Sequence, residues 1–313
     1  MADAAGYRDW RSLELAIKDS ARAAVRQPGT GHVAGTVDAR IRQARFDRFL
    51  CRVFASGEES EWFLKGGMSM LARVPRSRST KDIDLASGTA ADLAEAEQAL
   101  TALVGVDLGD HLTFRLIRSV PTGMGDNQPG VLTRRLVFAC LDADYDTQID
   151  TIMVDIVVGP PPVGRPETME PANRLNLTRP LITYPYRLFP VVDQIADKVC
   201  ATLSTTYGAG KHSSRVKDLV DLVVLAHTQR VDLRELRAAI TAKWALSRME
   251  PFDRFTVPAD WARTYPATAK GVPSAESYTA ETAALLVARL VDGALVESPT
   301  DGSWDPQELT WTH

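Results

Sequence analysis

The segment Leu64-Lys65-Gly66-Gly67-Met68-Ser69, followed by Arg78-Ser79-Thr80-Lys81-Asp82-Ile83-Asp84-Leu85, gathers residue types that handle phosphates and metal ions. In a strand, alternate side chains share a face, so Asp82 and Asp84 point one way while Ile83 and Leu85 enter a core. Two neighbouring carboxylates repel unless a cation lies between them, and such oxygen pairs are what Mg²⁺ takes as ligands. The alternative for the pair is a solvated strand edge beside a turn. A diglycine lets a backbone turn approach a polyphosphate closely, and a following helix offers its first N–H groups. Gly66 and Gly67 are therefore candidate nucleotide-binding residues, and Asp82 and Asp84 candidate metal ligands and catalytic residues. Together they predict transfer of a nucleotidyl group from a nucleoside triphosphate.

Asp155 stands alone inside Ile152-Met153-Val154-Asp155-Ile156-Val157-Val158. A charge buried there without a partner is costly, so it must sit at a strand end, pair with a base or face a metal. Asp142, Asp144, Asp146 and Asp150 are rival third carboxylates, in a more polar stretch that reads as loop. Lys198, among Ile195, Ala196, Val199, Cys200 and Ala201, either snorkels to the surface or neutralises phosphate. Asp218 and Asp221 are three residues apart and share a helix face. Ion pairing to Arg215 and Lys217 is their ordinary explanation. His32, His111, His212, His227 and His313 form no pair at metal-ligand spacing, which argues against a zinc hydrolase. Neither Gly-x-Ser-x-Gly nor Gly-x-x-x-x-Gly-Lys-Ser/Thr occurs.

These motifs resemble the nucleotidyltransferase superfamily of the DNA polymerase β type, and within it the AbiEii/AbiGii branch that includes the MenT-like toxins. That branch opens with an apolar residue, Lys-Gly-Gly and a short helix. Arg-x-Ser/Thr-x-Asp-ϕ-Asp-ϕ follows, where ϕ is apolar, and residues 63–85 match this order. Ile195-Ala196-Asp197-Lys198-Val199-Cys200-Ala201 resembles the family's Ala-x-Lys helix. Arg215-Val216-Lys217-Asp218-Leu219-Val220-Asp221-Leu222 resembles its Arg-x-Lys-Asp-ϕ-x-Asp-ϕ segment. The resemblance spans about residues 40 to 265. One departure is Gly66-Gly67 where the wider superfamily has Gly-Ser, and Ser69 is the candidate to take that serine's place on the triphosphate.

The resemblance implies Mg²⁺ or Mn²⁺ on Asp82 and Asp84, with Asp155 as the third carboxylate. It makes Lys198 a catalytic or nucleotide-binding lysine and lets Asp218 orient it or bind the base. It also implies a nucleoside triphosphate substrate, a tRNA 3′ end as acceptor, blocked translation, growth arrest and a cognate antitoxin. In MenT-like relatives a Ser or Thr two residues before the Asp-x-Asp pair can be phosphorylated by a kinase-type antitoxin. That points to Thr80, or failing it Ser79. Arg76, Arg78 and Lys81 could hold the added charge.

The elements needed to position these groups can be read along the chain. Residues 7–27 and 37–55 read as helices, 69–74 as the short helix beneath the phosphate site, 83–86 as the metal strand and 89–104 as a helix. Strands are expected at 111–120, 134–141 and 151–158, and Pro160-Pro161-Pro162 ends the last. Residues 159–180 read as extended loop. Helices follow at 191–203, 214–227, 233–244 and 280–291, and residues 297–313 read as a loose tail. The expected architecture is α/β (α+β), a polymerase β-type nucleotidyltransferase core with a mixed sheet followed by a mostly helical C-terminal domain. The division expected is 1–165 and 166–313.

Composition narrows the function classes. A 313-residue chain with 45% hydrophobic residues can hold one large domain or two modest ones. No apolar run is long enough to span a bilayer, and Met1–Gly6 does not resemble an export signal. Cys51, Cys140 and Cys200, odd in number and in apolar contexts, read as reduced core thiols. These features predict a cytoplasmic protein. The net charge of −4 argues against a general nucleic-acid coat. Yet Tyr7–Arg52 carries nine Arg and one Lys against five acids, and Arg73–Lys81 carries four basic residues and no acid. The basic N-terminal run is either an RNA-guiding surface or a solvated helix face. Other classes also fit the chain: nucleotidyl transfer to a protein or a small molecule such as an aminoglycoside, or a non-catalytic nucleotide- or partner-binding protein.

Overall fold

The computed structural model describes residues 6–26, 36–122, 132–204, 213–250, 252–296 and 301–312. His32, His212 and His313 lie outside them. The chain divides into two compact units. The first comprises residues up to Thr122, Leu132–Pro160 and Glu167–Leu188, and the second holds Pro161–Pro166 and the chain from Phe189 onward.

The first unit runs α1 (Trp10–Arg26), α2 (Val37–Val53), β1 (Trp62–Lys65), α3 (Gly66–Arg73), β2 (Ile83–Ser87), α4 (Leu93–Val104), β3 (Leu112–Thr122), β4 (Leu132–Asp142), β5 (Thr147–Val158), β6 (Glu167–Met169) and β7 (Tyr186–Leu188). Its seven strands form one mixed sheet in the order β3-β4-β5-β2-β1-β7-β6. β2 pairs parallel with β5, and β1 parallel with β7. Alternation on the strands separates two faces. Leu64, Ile83, Leu85, Leu136, Phe138, Ile152, Val154 and Ile156 join one buried core with Trp10, Leu13, Ile17, Phe46, Phe49 and Leu100 of the helices. The intervening residues, Lys65, Asp84, Arg135 and Asp155 among them, lie on the other face.

Two sequence expectations change here. Residues 167–188, expected with the helical half, add β6 and β7 to the sheet, so the unit does not end near 165. Strands of three residues are too short to show a period. The arginines of α2 are also not a solvated face. Arg40, Arg48 and Arg52 are 5%, 2% and 1% exposed. Arg48 Nε lies 2.7 Å from Asp110 Oδ2, and Arg52 Nη2 lies 2.7 Å from Asp110 Oδ1. Arg52 also donates to the Val106 and Leu112 carbonyls, both at 2.8 Å. Burial by itself would raise the Asp110 pKa, but the two guanidiniums outweigh it and hold the carboxyl below its ordinary value of 3.8.

Asp110→Asn is accordingly expected to cost about 3–5 kcal/mol, because it takes the countercharge from buried Arg52 and leaves buried Arg48 only the longer contact to Asp47 at 3.9 Å. A group whose folded pKa is depressed stabilises above its unfolded pKa, and that contribution is lost as pH falls through the folded value. Wild-type stability should therefore drop below about pH 4, a drop partly absent in the variant. Urea unfolding of both proteins at pH 7 and at pH 3 measures this.

The second unit contains α5 (Val191–Leu203), α6 (Val216–Thr228), β8 (Val231–Asp232), α7 (Leu233–Leu246), α8 (Trp261–Ala269), α9 (Ala280–Leu295), β9 (Ser303–Asp305) and β10 (Thr310–Thr312). α8, unforeseen, carries Pro266 inside it, which weakens a helical reading of the sequence. The expected loose tail instead forms a three-stranded sheet, β10-β9-β8. Trp304, fully buried, pins it by donating to the Ala226 carbonyl at 2.8 Å. Cys51, Cys140 and Cys200 are free and buried, and burial raises their thiols to about 11, 12 and 12. No described helix is long and apolar enough to cross a membrane.

Candidate active site

Strand register assembles the site. Lys65 is the partner of Asp84 across β1 and β2, Asp84 of Asp155 across β2 and β5, and Asp155 of Arg135 across β5 and β4. Residues in register on neighbouring strands point to the same face. One row across four strands thus reads Lys65, Asp84, Asp155, Arg135, two carboxylates flanked by two cations. Asp82, two residues before Asp84, joins the same face. Its side chain is 35% exposed and that of Asp155 is 23% exposed, so solvent reaches both.

Arg135 occupies the gap between the carboxylates. Its Nε and Nη2 lie 2.7 and 2.5 Å from the two Asp155 oxygens, and Nη2 lies 3.8 Å from Asp82 Oδ2. The bidentate bond to Asp155 is the chief reason that the Arg135 pKa rises above its ordinary value. Of the three fates open to Asp155, pairing with a base is the one observed. The rival carboxylates are placed elsewhere, and Asp150 pairs with Arg45 at 2.6 Å.

The diglycine sits against this row. Gly66 opens α3 at φ +61°, where a side chain is disfavoured. A Cβ there would lie 1.8 Å from Asp84 Oδ2. A Cβ on Gly67 would lie 2.7 Å from the Thr80 Cβ. The helix begins at the glycines, earlier than the expected residue 69, with Lys65 as an N-cap that makes no side-chain capping bond. The first turn of α3 therefore starts beside Asp84.

Ser69 is placed differently. It is fully buried and its hydroxyl accepts from Arg73 Nη1 at 2.6 Å, so it is out of reach of a phosphate arriving from solvent. Thr80 is 8% exposed and donates to Asp82 Oδ1 at 2.9 Å. Its hydroxyl holds the first carboxylate in place. Ser79, next to it, is exposed.

In the helical unit, α5 and α6 bring Lys198 to Asp218 and Asp221, at 3.2 and 2.6 Å. Arg215 also pairs with Asp218. Burial favours the neutral acid at Asp218, yet Lys198 and Arg215 outweigh it and lower its pKa. Lys198 is itself buried, so it does not snorkel.

Two residues of the row, Lys65 and Arg135, were not among the sequence candidates. Lys65 was legible as the residue before the diglycine. Arg135 had no local signal, because only the β4–β5 register sets it beside Asp155. The donor chemistry of Asp82 and Asp84 fits a hard divalent cation, and Arg135 already supplies positive charge at the same carboxylates. Among the described residues, no three His, Cys, Asp or Glu side chains converge to hold a metal ion. Asp155 is instead engaged by Arg135 through both of its oxygens.

The family described as "Nucleotidyl transferase AbiEii toxin, Type IV TA system" matches residues 48–286. No curated protein matches. Among solved structures, the nucleotidyltransferase toxin MenT4 from Mycobacterium tuberculosis is 14% identical, with a TM-score of 0.51 over 93% of this chain and 91% of that one. JHP933 from Helicobacter pylori is 13% identical, with a TM-score of 0.37 over 81% of this chain and 93% of that one. At such identity the MenT4 likeness speaks for the fold.

Proposed function

Because the chain belongs to the AbiEii nucleotidyl transferase toxin family of type IV toxin–antitoxin systems, we propose that it transfers a nucleoside monophosphate from a triphosphate to an RNA hydroxyl. The favoured acceptor is the 3′ end of a tRNA, and the outcome is blocked translation and growth arrest. The observation that supports this reading best is the row of Lys65, Asp84, Asp155 and Arg135 with the Gly66 turn against it.

Asp82 and Asp84 would hold Mg²⁺ or Mn²⁺, and Asp155 would join them. The ion would supply charge for the polyphosphate and make the acceptor hydroxyl easier to deprotonate. Gly66 and Gly67 offer backbone N–H groups to phosphate oxygens at a place no side chain can enter. Thr80 keeps Asp82 oriented by its hydrogen bond. Arg135 pairs with Asp155 until that carboxylate is needed and is then free to meet a phosphate. Ser69 acts through Arg73, bracing α3. Lys198 and Asp218 take the nucleotide-binding and orienting roles that the family resemblance implies, with Asp218 and Asp221 fixing the lysine.

The test is to incubate the purified protein with each labelled nucleoside triphosphate, Mg²⁺ and total RNA. Label should enter the tRNA band. Label in protein or in a small acceptor would replace the RNA reading and leave the transferase intact.

The family carries an antitoxin partner, and we propose that a kinase-type antitoxin silences the protein at the loop before Asp82. A phosphate on Thr80 or Ser79 would place about −1.5 to −2 charges beside the metal ligands. Ser79 is exposed, whereas Thr80 must first leave Asp82. Mass spectrometry after co-expression with the antitoxin should find phosphate on this dipeptide, Ser79 being the first to fill. A silenced protein unmodified at both positions would mean control by binding.

A further inference from the structure

The first unit holds a large groove whose lining includes none of the carboxylate row. It has a volume of about 1280 Å³ and is walled by α1, the residues after α3 and the segment 172–179. Its walls are tied together. Ser20 Oγ donates to the Asn176 carbonyl at 2.8 Å, and the Arg179 amide donates to Tyr7 Oη at 3.1 Å. The Ala172 amide donates to the Ala72 carbonyl at 2.8 Å, joining the third wall to the end of α3. The groove is thus built into the fold.

Its charge is one-sided. Arg40, Arg76 and Arg179 line it, and none has a carboxylate partner among the described residues. Arg8 and Arg174 line it too, but they are paired with Asp9 and with Asp47 and Glu170. Asp19, the one acid on the wall, is paired with Arg22. Arg40 is 95% buried, its 5% exposure notwithstanding a full charge, and its Nε has no hydrogen-bond partner. The Arg76 Nε is likewise buried without one. Desolvation lowers the pKa of a buried guanidinium that lacks an acid, as at Arg40, and an oxyanion that offers two oxygens to its N–H fork, a carboxylate or a phosphate, is its natural complement.

We propose that this groove binds the phosphodiester backbone of the RNA acceptor, through Arg40, Arg76 and Arg179. The inference rests on the RNA reading above and places the docking track. The groove is open to solvent and larger than most small-molecule sites, so it has room for a polymer segment. The three cations come from three separate parts of the chain, α2, the loop after α3 and the segment 172–179. Leu15 and Leu175 add apolar surface to the same walls. Arg76 lies on the same loop as Thr80 and Asp82, so the track is continuous in sequence with the transfer site. The overall charge of −4 makes this local excess of cations the attractive region for RNA.

The test is fluorescence anisotropy of labelled total tRNA with the full chain over a salt series. Arg76→Gln and Arg179→Gln should each weaken binding about 5- to 10-fold and lower the slope of log K against log salt by about 0.7–0.9. Binding of nucleoside triphosphate should stay at the wild-type level. Arg40→Gln should do the same, and because it is buried the two other variants carry the test if it fails to fold. Hydrogen exchange should slow at 172–179 when tRNA binds. Wild-type slopes in the Arg76 and Arg179 variants, or protection elsewhere, would overturn the groove while label still entering RNA leaves the acceptor reading standing. If no label enters RNA and tRNA does not bind, both fall. A groove that binds poly-glutamate while tRNA binding ignores the variants is a peptide site, and the proposal is wrong.

Discussion

Asp84→Asn is expected to lower nucleotidyl transfer by about 10³-fold or more while the protein stays folded. Asparagine keeps the shape of the side chain and removes the charge that a hard cation requires. Losing the positioned ion forfeits several kcal/mol of transition-state stabilisation, and about 4 kcal/mol is a factor of roughly 10³. Stability should move the other way or not at all. Asp84 stands in register beside Asp155 on β5, and removing one of two neighbouring carboxylates relieves repulsion. The Arg135–Asp155 pair is untouched by the change. Asp82→Asn should match it in activity, although it also gives up the hydrogen bond from Thr80. Initial rates with labelled triphosphate in excess Mg²⁺, alongside thermal unfolding, separate the two effects. Full activity in either purified variant would end the assignment of these residues as metal ligands.

Gly66→Ala is expected to be nearly as damaging, for a steric reason. Its Cβ would fall 1.8 Å from Asp84 Oδ2 and 2.6 Å from Asp84 Cγ, closer than atoms can approach. Either the carboxylate swings away or the turn opens, and both separate the start of α3 from the carboxylate. Gly57 supplies the control. It shares a φ of +61°, and nothing lies within 4 Å of a Cβ built there. Gly57→Ala should cost about 1 kcal/mol of stability from the left-handed backbone and leave transfer unchanged. Gly66→Ala should carry the same backbone cost plus a loss of transfer of about 10²-fold or more. Equal activity in the two alanine variants would show that the close contact between Gly66 and Asp84 is dispensable.

The sequence by itself determined the parts of this protein whose signal is local. Gly66-Gly67, Asp82 and Asp84 fall within one short stretch, and the alternation Asp82-Ile83-Asp84-Leu85 sets their face without any partner strand. The long helices show a helical period, and the β-branched, aromatic and apolar stretches at 111–120, 134–141 and 151–158 mark what the fold extends to β3, β4 and β5 of 11, 11 and 12 residues. The family resemblance in residues 63–85 and 195–222 lies inside the span that the family matches.

What only the tertiary structure decided is whatever depends on a partner distant in the chain. Arg135 stands twenty residues from Asp155, and only the β4–β5 register makes it the partner of that carboxylate. Arg48 and Arg52 read as part of an RNA-guiding surface or a solvated helix face because their acid, Asp110, is 62 and 58 residues away. Ser69 looked available for phosphate because spacing cannot report that a hydroxyl is buried against Arg73. The role of Gly66 is of the same kind. Its φ allows the turn, but the reason no other residue fits is the oxygen of Asp84, eighteen positions on, which β1–β2 pairing carries to its Cα. Periodicity encodes which way a side chain faces. Which charge meets it there is set by strand order and register, and those are properties of the folded chain.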